Sequence, residues 1–179
     1  MDIAITPGGR GEVGPAVIAA ILTYAGRPVP VWREGELQWT TGWVDSRRMR
    51  VPRLGDRRVA AVETVDAQSL GPDVAVTSRV AFYAGLESRI EQYGLMALAR
   101  MRRAGLVGRL DGLIPLLVAA RRATRITTSD RGGMVVAVTG LDASGALTHA
   151  RWSLLAEQEH GPQVPTLATA AVVRAIAEG

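Results

Sequence analysis

The order of apolar periods predicts an α+β fold, a largely antiparallel sheet with helices packed on one face. Two observations carry that expectation. A period-two pattern runs through residues 29–84 and returns at 134–156, and the helical patterns stand in separate blocks that do not alternate with the strands. A doubly wound parallel sheet needs crossover helices between its strands, and the consecutive short strands of 29–84 leave no room for them.

Each element has its own signal. After a short apolar start at Ile3 and Ile5, Pro7 and four glycines make a loop. Residues 15–22 read as a helix with Pro15 in its first turn, ended by Gly26 and Pro28; with apolar residues around much of it, it should be well buried. Val29 and Val31 then alternate, and Glu34-Gly35 is a tight turn that makes 29–33 and 37–43 a hairpin. Val59, Ala61, Val74, Val76, Val80 and Phe82 continue the strand period.

Two helical stretches follow, about 86–104 and 109–123, separated by Gly105 and Gly108. Pro115 should kink the second or mark its true start. Residues 134–141 and 146–156 form a second hairpin across Asp142-Ala143-Ser144-Gly145, and a last helix spans about 165–178. Trp32, Trp39, Trp43 and Trp152 all fall at alternating strand positions, which predicts a core role for at least three of them.

Composition narrows the function classes. With 179 residues, 47% of them hydrophobic, residues 1–179 can form one domain around one core. No run reaches the ~18 apolar residues of a membrane span, and Met1-Asp2-Ile3 lacks the basic start of a signal peptide, so a cytoplasmic, membrane-free protein is expected. Cysteine is absent, which removes disulfides, thiolate catalysis and sulfur-ligated zinc, and His149 and His160 are the only histidines, so no metal site is expected. Every one of the 21 basic side chains is arginine, which removes lysine Schiff bases and P-loop lysines. The formal charge of +4 and the cluster Arg47, Arg48, Arg50, Arg53, Arg57 and Arg58 raise nucleic acid as a partner. The interleaved Glu34, Glu36, Asp45 and Asp56, and the lack of an aromatic stacking pattern, argue against it.

Gly9-Arg10-Gly11-Glu12-Val13-Gly14 matches the dinucleotide fingerprint G-x-G-x-x-G and opens a helix. On that reading Gly9, Gly11 and Gly14 bind cofactor, backbone amides cradle a pyrophosphate, and Glu34, roughly 20 residues on, takes the ribose hydroxyl or Arg33 a 2′-phosphate. The first strand is short, however, and Pro7 and Pro15 bracket the loop, so a structural loop entering a buried helix is the favoured reading.

The second half carries a more specific wording. Val80-Ala81-Phe82-Tyr83-Ala84-Gly85-Leu86-Glu87 precedes Ser129-Asp130-Arg131-Gly132-Gly133-Met134 and Val138-Thr139-Gly140, then Arg151-Trp152-Ser153-Leu154, His160-Gly161-Pro162 and Pro165-Thr166-Leu167-Ala168. In that order, and with Pro7-Gly8-Gly9-Arg10-Gly11 and Gly42-Trp43 before them, these segments resemble the C-terminal domain of bacterial saccharopine dehydrogenase-like oxidoreductases over nearly the whole chain. The resemblance implies a layer similar to the C-terminal domain of glyceraldehyde-3-phosphate dehydrogenase. It implies NAD(P) held mainly by an N-terminal Rossmann domain that this sequence does not contain, to be supplied in cis or in trans, and an oxidoreductase domain that is not catalytic alone. A homo-oligomer is expected as well, and a non-catalytic dimerisation module or a small standalone dinucleotide binder are the alternatives.

Among individual residues, alternation places His149, Arg151 and Ser153 on one face of the last strand and Ala150, Trp152 and Leu154 on the other, one face polar and one core. Arg151 is the candidate clamp for a substrate carboxylate, against the plainer reading of a solvated arginine. His160 is the candidate general acid or base, with Gly161 and Pro162 beside it at the substrate, on a polar loop where the alternative is a simple turn. Ser129 to Gly133 has the composition of a tight turn or of an anion-binding nest.

Overall fold

The computed structural model describes residues 1–73, 78–158 and 160–178. Among them are eight strands and five α-helices: β1 (Asp2–Thr6), α1 (Pro15–Tyr24), β2 (Pro28–Arg33), β3 (Glu36–Thr41), β4 (Ser46–Val51), β5 (Gly55–Ala61), α2 (Asp66–Asp73), β6 (Arg79–Ala84), α3 (Arg89–Arg103), α4 (Ile114–Thr124), β7 (Gly132–Leu141), β8 (Leu147–Ala156) and α5 (Val164–Glu178). The fold is α+β, with a mixed, mostly antiparallel open sheet.

The main sheet runs in the order β3-β2-β6-β1-β7-β8. Its one parallel pair is β1 with β6, Ala4 opposite Tyr83, and this pair departs from a purely antiparallel expectation. On the far side of β6, β2 pairs with Arg79 and Val80 while β5 takes over at Tyr83 and Ala84. The β4–β5 hairpin therefore enters the sheet at the carboxyl end of β6. Both expected hairpins form, and Glu34 (φ 54°) with Gly35 (φ 81°) supplies the left-handed pair a two-residue turn demands.

The core lies in two clusters. Ala4, Val29, Val31, Val59, Ala81 and Tyr83 form one, built from strand residues. The other joins Ile18 and Leu22 of α1 to Ala99 of α3, with Trp43, Ala60 and Leu110, and α4 packs against it through Leu117 and Val118. Gly26, at φ 74°, closes α1: a Cβ there would lie 2.4 Å from the carbonyl oxygen of Ala99, so only glycine lets the end of α1 abut α3.

Pro115 marks the start of α4, as expected of a first-turn proline. The preceding helix begins at Arg89 and not at Leu86, because the Ser88 hydroxyl accepts from the Glu91 amide and caps it there.

Three expectations fail. The period-two reading of 29–84 missed α2, where the amides of Gln68 and Ser69 both turn back to the Val65 carbonyl and Ala67 is buried; the expected strand positions Val74 and Val76 lie outside the described residues. It also missed β4, whose alternation is hidden by arginine. Finally, helices were expected on one sheet face, yet α5 has its main contact with the short Gly161–Gln163 turn before it and is exposed along its length.

Candidate functional site

The glycine loop between β1 and α1 is tied down from inside the chain. The Gly9 amide donates to Glu87 Oε2 at 2.8 Å, and the Ser129 amide reaches the same oxygen at 2.9 Å. The Ser129 hydroxyl donates to Glu87 Oε1 at 2.8 Å, and Arg57 pairs with that oxygen at 3.5 Å. The Arg10 amide goes to the Ser129 carbonyl and its Nε to the Thr128 carbonyl. Burial alone would raise the Glu87 carboxyl, but the amide of Gly9, the hydroxyl and amide of Ser129 and the charge of Arg57 outweigh it and hold the group below its ordinary value.

Gly9, Gly11 and Gly14 therefore sit in a loop that receives a carboxylate of its own chain where a pyrophosphate was the alternative. The topology agrees. A dinucleotide unit needs β1 and β2 parallel and adjacent, whereas here β6 lies between them and β2 runs antiparallel to it. Gly14 is the N-terminal flank of α1 with open space around it. At Gly9 a Cβ would lie 2.3 Å from Thr128 Cβ, while at Gly11 the nearest atom would be 3.8 Å away. Gly9→Ala should thus lower stability by about 1–3 kcal/mol through overpacking, and Gly11→Ala by less than about 1 kcal/mol, as read by urea denaturation. A larger loss at Gly11 than at Gly9 would contradict this packing.

The C-terminal candidates fall at two separate places. Arg151 is exposed on β8, opposite Ala137, with no carboxylate partner among the described residues. His149, also exposed, shares a hydrogen bond with Thr139 at 2.9 Å. His160 flanks the Gly161–Gln163 turn, its amide held by the Glu157 carbonyl at 3.1 Å, and Pro162 occupies the first positions of that turn. Arg151 lies five residues from the end of β8 at Ala156, roughly 17 Å along the strand, so these two candidates do not form one site.

The surface of this region is more apolar than the alternation predicted. Both faces of β8 are exposed from Leu147 to Ser153, because β8 is the outer strand of the sheet and no helix covers it. Trp152 is 52% exposed and Trp39 65%, against 2% for Trp43, so the expected core role holds for Trp43 and fails for those two. On α5, Val172, Val173 and Ile176 are also exposed.

Two concave regions remain. A groove of about 340 Å³ between α1, α3 and α4 is lined by Val13, Val17, Ile21, Ile90 and Leu117, with the buried pair Arg121–Glu91 (2.7 Å) and the Thr124 hydroxyl on Glu91 at its polar edge. A polar cleft of about 520 Å³ lies between the β4–β5 hairpin and the start of α3, lined by Arg48, Arg57, Arg58, Arg89, Gln92 and Tyr93. Neither was visible in the sequence. Glu87, the centre of the loop node, also went unnoticed as a functional group, although two anion-seeking segments around Gly9 and Ser129 needed one carboxylate between them. No cluster of metal-ligating side chains occurs among the described residues, and no helix there is long and apolar enough to cross a membrane.

Comparison with protein-family models gives no match, and comparison with curated proteins gives none either.

Proposed function

We propose that this chain is the substrate-side and association domain of a saccharopine dehydrogenase-like NAD(P)-dependent oxidoreductase, completed by a nucleotide-binding domain in cis or in trans. One observation carries the reading: β8 and α5 leave Trp152, Leu147, Val172, Val173 and Ile176 exposed, more apolar side chain than a free domain usually shows to water. The α+β class is the one the resemblance implies, including a layer similar to the C-terminal domain of glyceraldehyde-3-phosphate dehydrogenase. Arg151 projects from the same outer strand as Trp152, and His160-Gly161-Pro162 leads into α5, so both candidate groups border the surface such a partner would cover. On this reading the hydride chemistry belongs to the bound cofactor and the chain alone is inactive.

A second reading is favoured by β8 itself. A ten-residue outer strand with unpaired backbone groups is a template for pairing with a symmetry mate, which makes a dimerisation module of the same surface.

Size-exclusion chromatography with NADPH and with small amino or keto acids separates them. A monomer that binds an apolar dye, does not hold NADPH by itself and takes up a small amino or keto acid supports the substrate-side domain. A stable dimer blind to all of these, and split by Trp152→Glu, supports the dimerisation module. Val172→Glu with Ile176→Glu should remove most of the dye binding without lowering stability by more than about 0.5 kcal/mol, as expected for exposed positions; unchanged dye binding would exclude α5 from the surface.

A further inference from the structure

We propose that the cleft between the β4–β5 hairpin and the first turn of α3 binds a small organic phosphate monoester. The argument starts from the strand register. Arg48 and Arg58 stand directly opposite each other, an arrangement that brings Cβ atoms to about 5 Å and that like charges disfavour unless something negative lies between them. Among the described residues no carboxylate pairs with Arg48, Arg58 or Arg89. The acids that line the cleft are Asp56 and Glu87, and Glu87 is already held by Arg57, Gly9 and Ser129. The cleft thus carries an excess of positive charge.

Two buried donors point the same way. Gln92 is 1% exposed and lines the cleft; its Oε1 accepts from the Leu86 amide at 2.7 Å, which fixes the orientation of the side-chain amide, and its Nε2 is buried with no acceptor. The Nε of Arg58 is buried and unmatched as well. A buried donor without an acceptor costs about 1–3 kcal/mol, a cost that an anion in the cleft would remove. The amino end of the 15-residue α3 adds its positive dipole end beside Arg89.

The ligand class follows from the shape. Two guanidinium groups rooted at one cross-strand pair suit one doubly charged group better than two carboxylates held apart, and guanidinium matches phosphate bidentately. A volume of about 520 Å³ is far larger than phosphate itself. Leu54, Leu86 and the half-exposed ring of Tyr93 supply an apolar wall for an organic part. None of this depends on the oxidoreductase reading.

Calorimetric titration of the chain with phenyl phosphate, inorganic phosphate and succinate tests it, alongside Arg48→Gln and Arg58→Gln. The expected result is that phenyl phosphate binds more tightly than inorganic phosphate or succinate, and that each substitution weakens it roughly tenfold or more. Arg48→Gln should leave the ligand-free melting temperature unchanged or raise it, because it removes a like-charge pair, so loss of binding there is not loss of fold. Equal affinity in both variants, succinate binding as tightly as phenyl phosphate, or no binding by the unmutated chain would each overturn the proposal.

Discussion

Replacing Glu87 with alanine is expected to lower the stability of the fold by about 3–5 kcal/mol, the range for breaking a buried, hydrogen-bonded ion pair by removing one partner. The carboxylate is the only acceptor recorded for the Gly9 and Ser129 amides, and it faces Arg57 with both side chains largely buried. Its loss strands two backbone donors and a guanidinium at once, and it disconnects the glycine loop, the segment before β7 and the β4–β5 hairpin from one another. Urea denaturation reads this as a lower midpoint, and a midpoint within error of the unmutated protein would remove Glu87 from that role.

The same residue sets an acid limit. Its folded pKa lies below its ordinary value of 4.5, so its contribution is fully present above 4.5 and is lost as pH falls through the lower folded value. Glu87→Gln, which cannot titrate, should be less stable near neutrality and should lose less stability than the unmutated chain as pH falls below 4.5. Parallel pH profiles for the two proteins would contradict this assignment.

The second large effect is expected at Trp43. Trp43→Ala should cost about 3–5 kcal/mol, since the ring fills the cluster between α1, α3 and β5 and is 2% exposed. Trp43 also holds a left-handed conformation, φ 61°, with its amide donated to the Ala61 carbonyl at 2.9 Å, so the backbone turns there in order to deliver the ring inward. Trp39→Ala and Trp152→Ala, both on exposed positions, should change stability by no more than about 0.5 kcal/mol in the free chain. Tryptophan fluorescence during unfolding checks the contrast, because the buried ring dominates the shift in emission.

That contrast explains what could be read from sequence. Turn chemistry was legible: Glu34-Gly35 and Asp142 to Gly145 placed two hairpins, and Pro115 placed the start of α4, because each acts through its own backbone. Trp39, Trp43 and Trp152 share the same alternation and the same chemistry, yet their burial differs, since it depends on which strand is outermost and which turn goes left-handed. Periodicity reports neither. For the same reason the arginine cluster at 47–58 read as a solvated charge run. Its meaning lies in Arg48 facing Arg58, a register fixed by the turn at Arg53 (φ 64°) and Gly55 (φ 76°). Glu87 was hidden because its three partners are distant in the chain.

The position of β1 bears on how the chain reaches this state. It is the first strand to leave the ribosome, yet it sits between β6 and β7, and Asp2 pairs with Ala81 on one side and Ala137 on the other. Both neighbours therefore arrive long after it, and at about 5–20 residues per second the strand waits several seconds for its second partner. Contacts so far apart in sequence slow folding and leave Ile3 and Ile5 open to wrong pairings in the meantime. Until β7 emerges the middle of the sheet cannot close, so the last quarter of the chain completes the centre of the molecule.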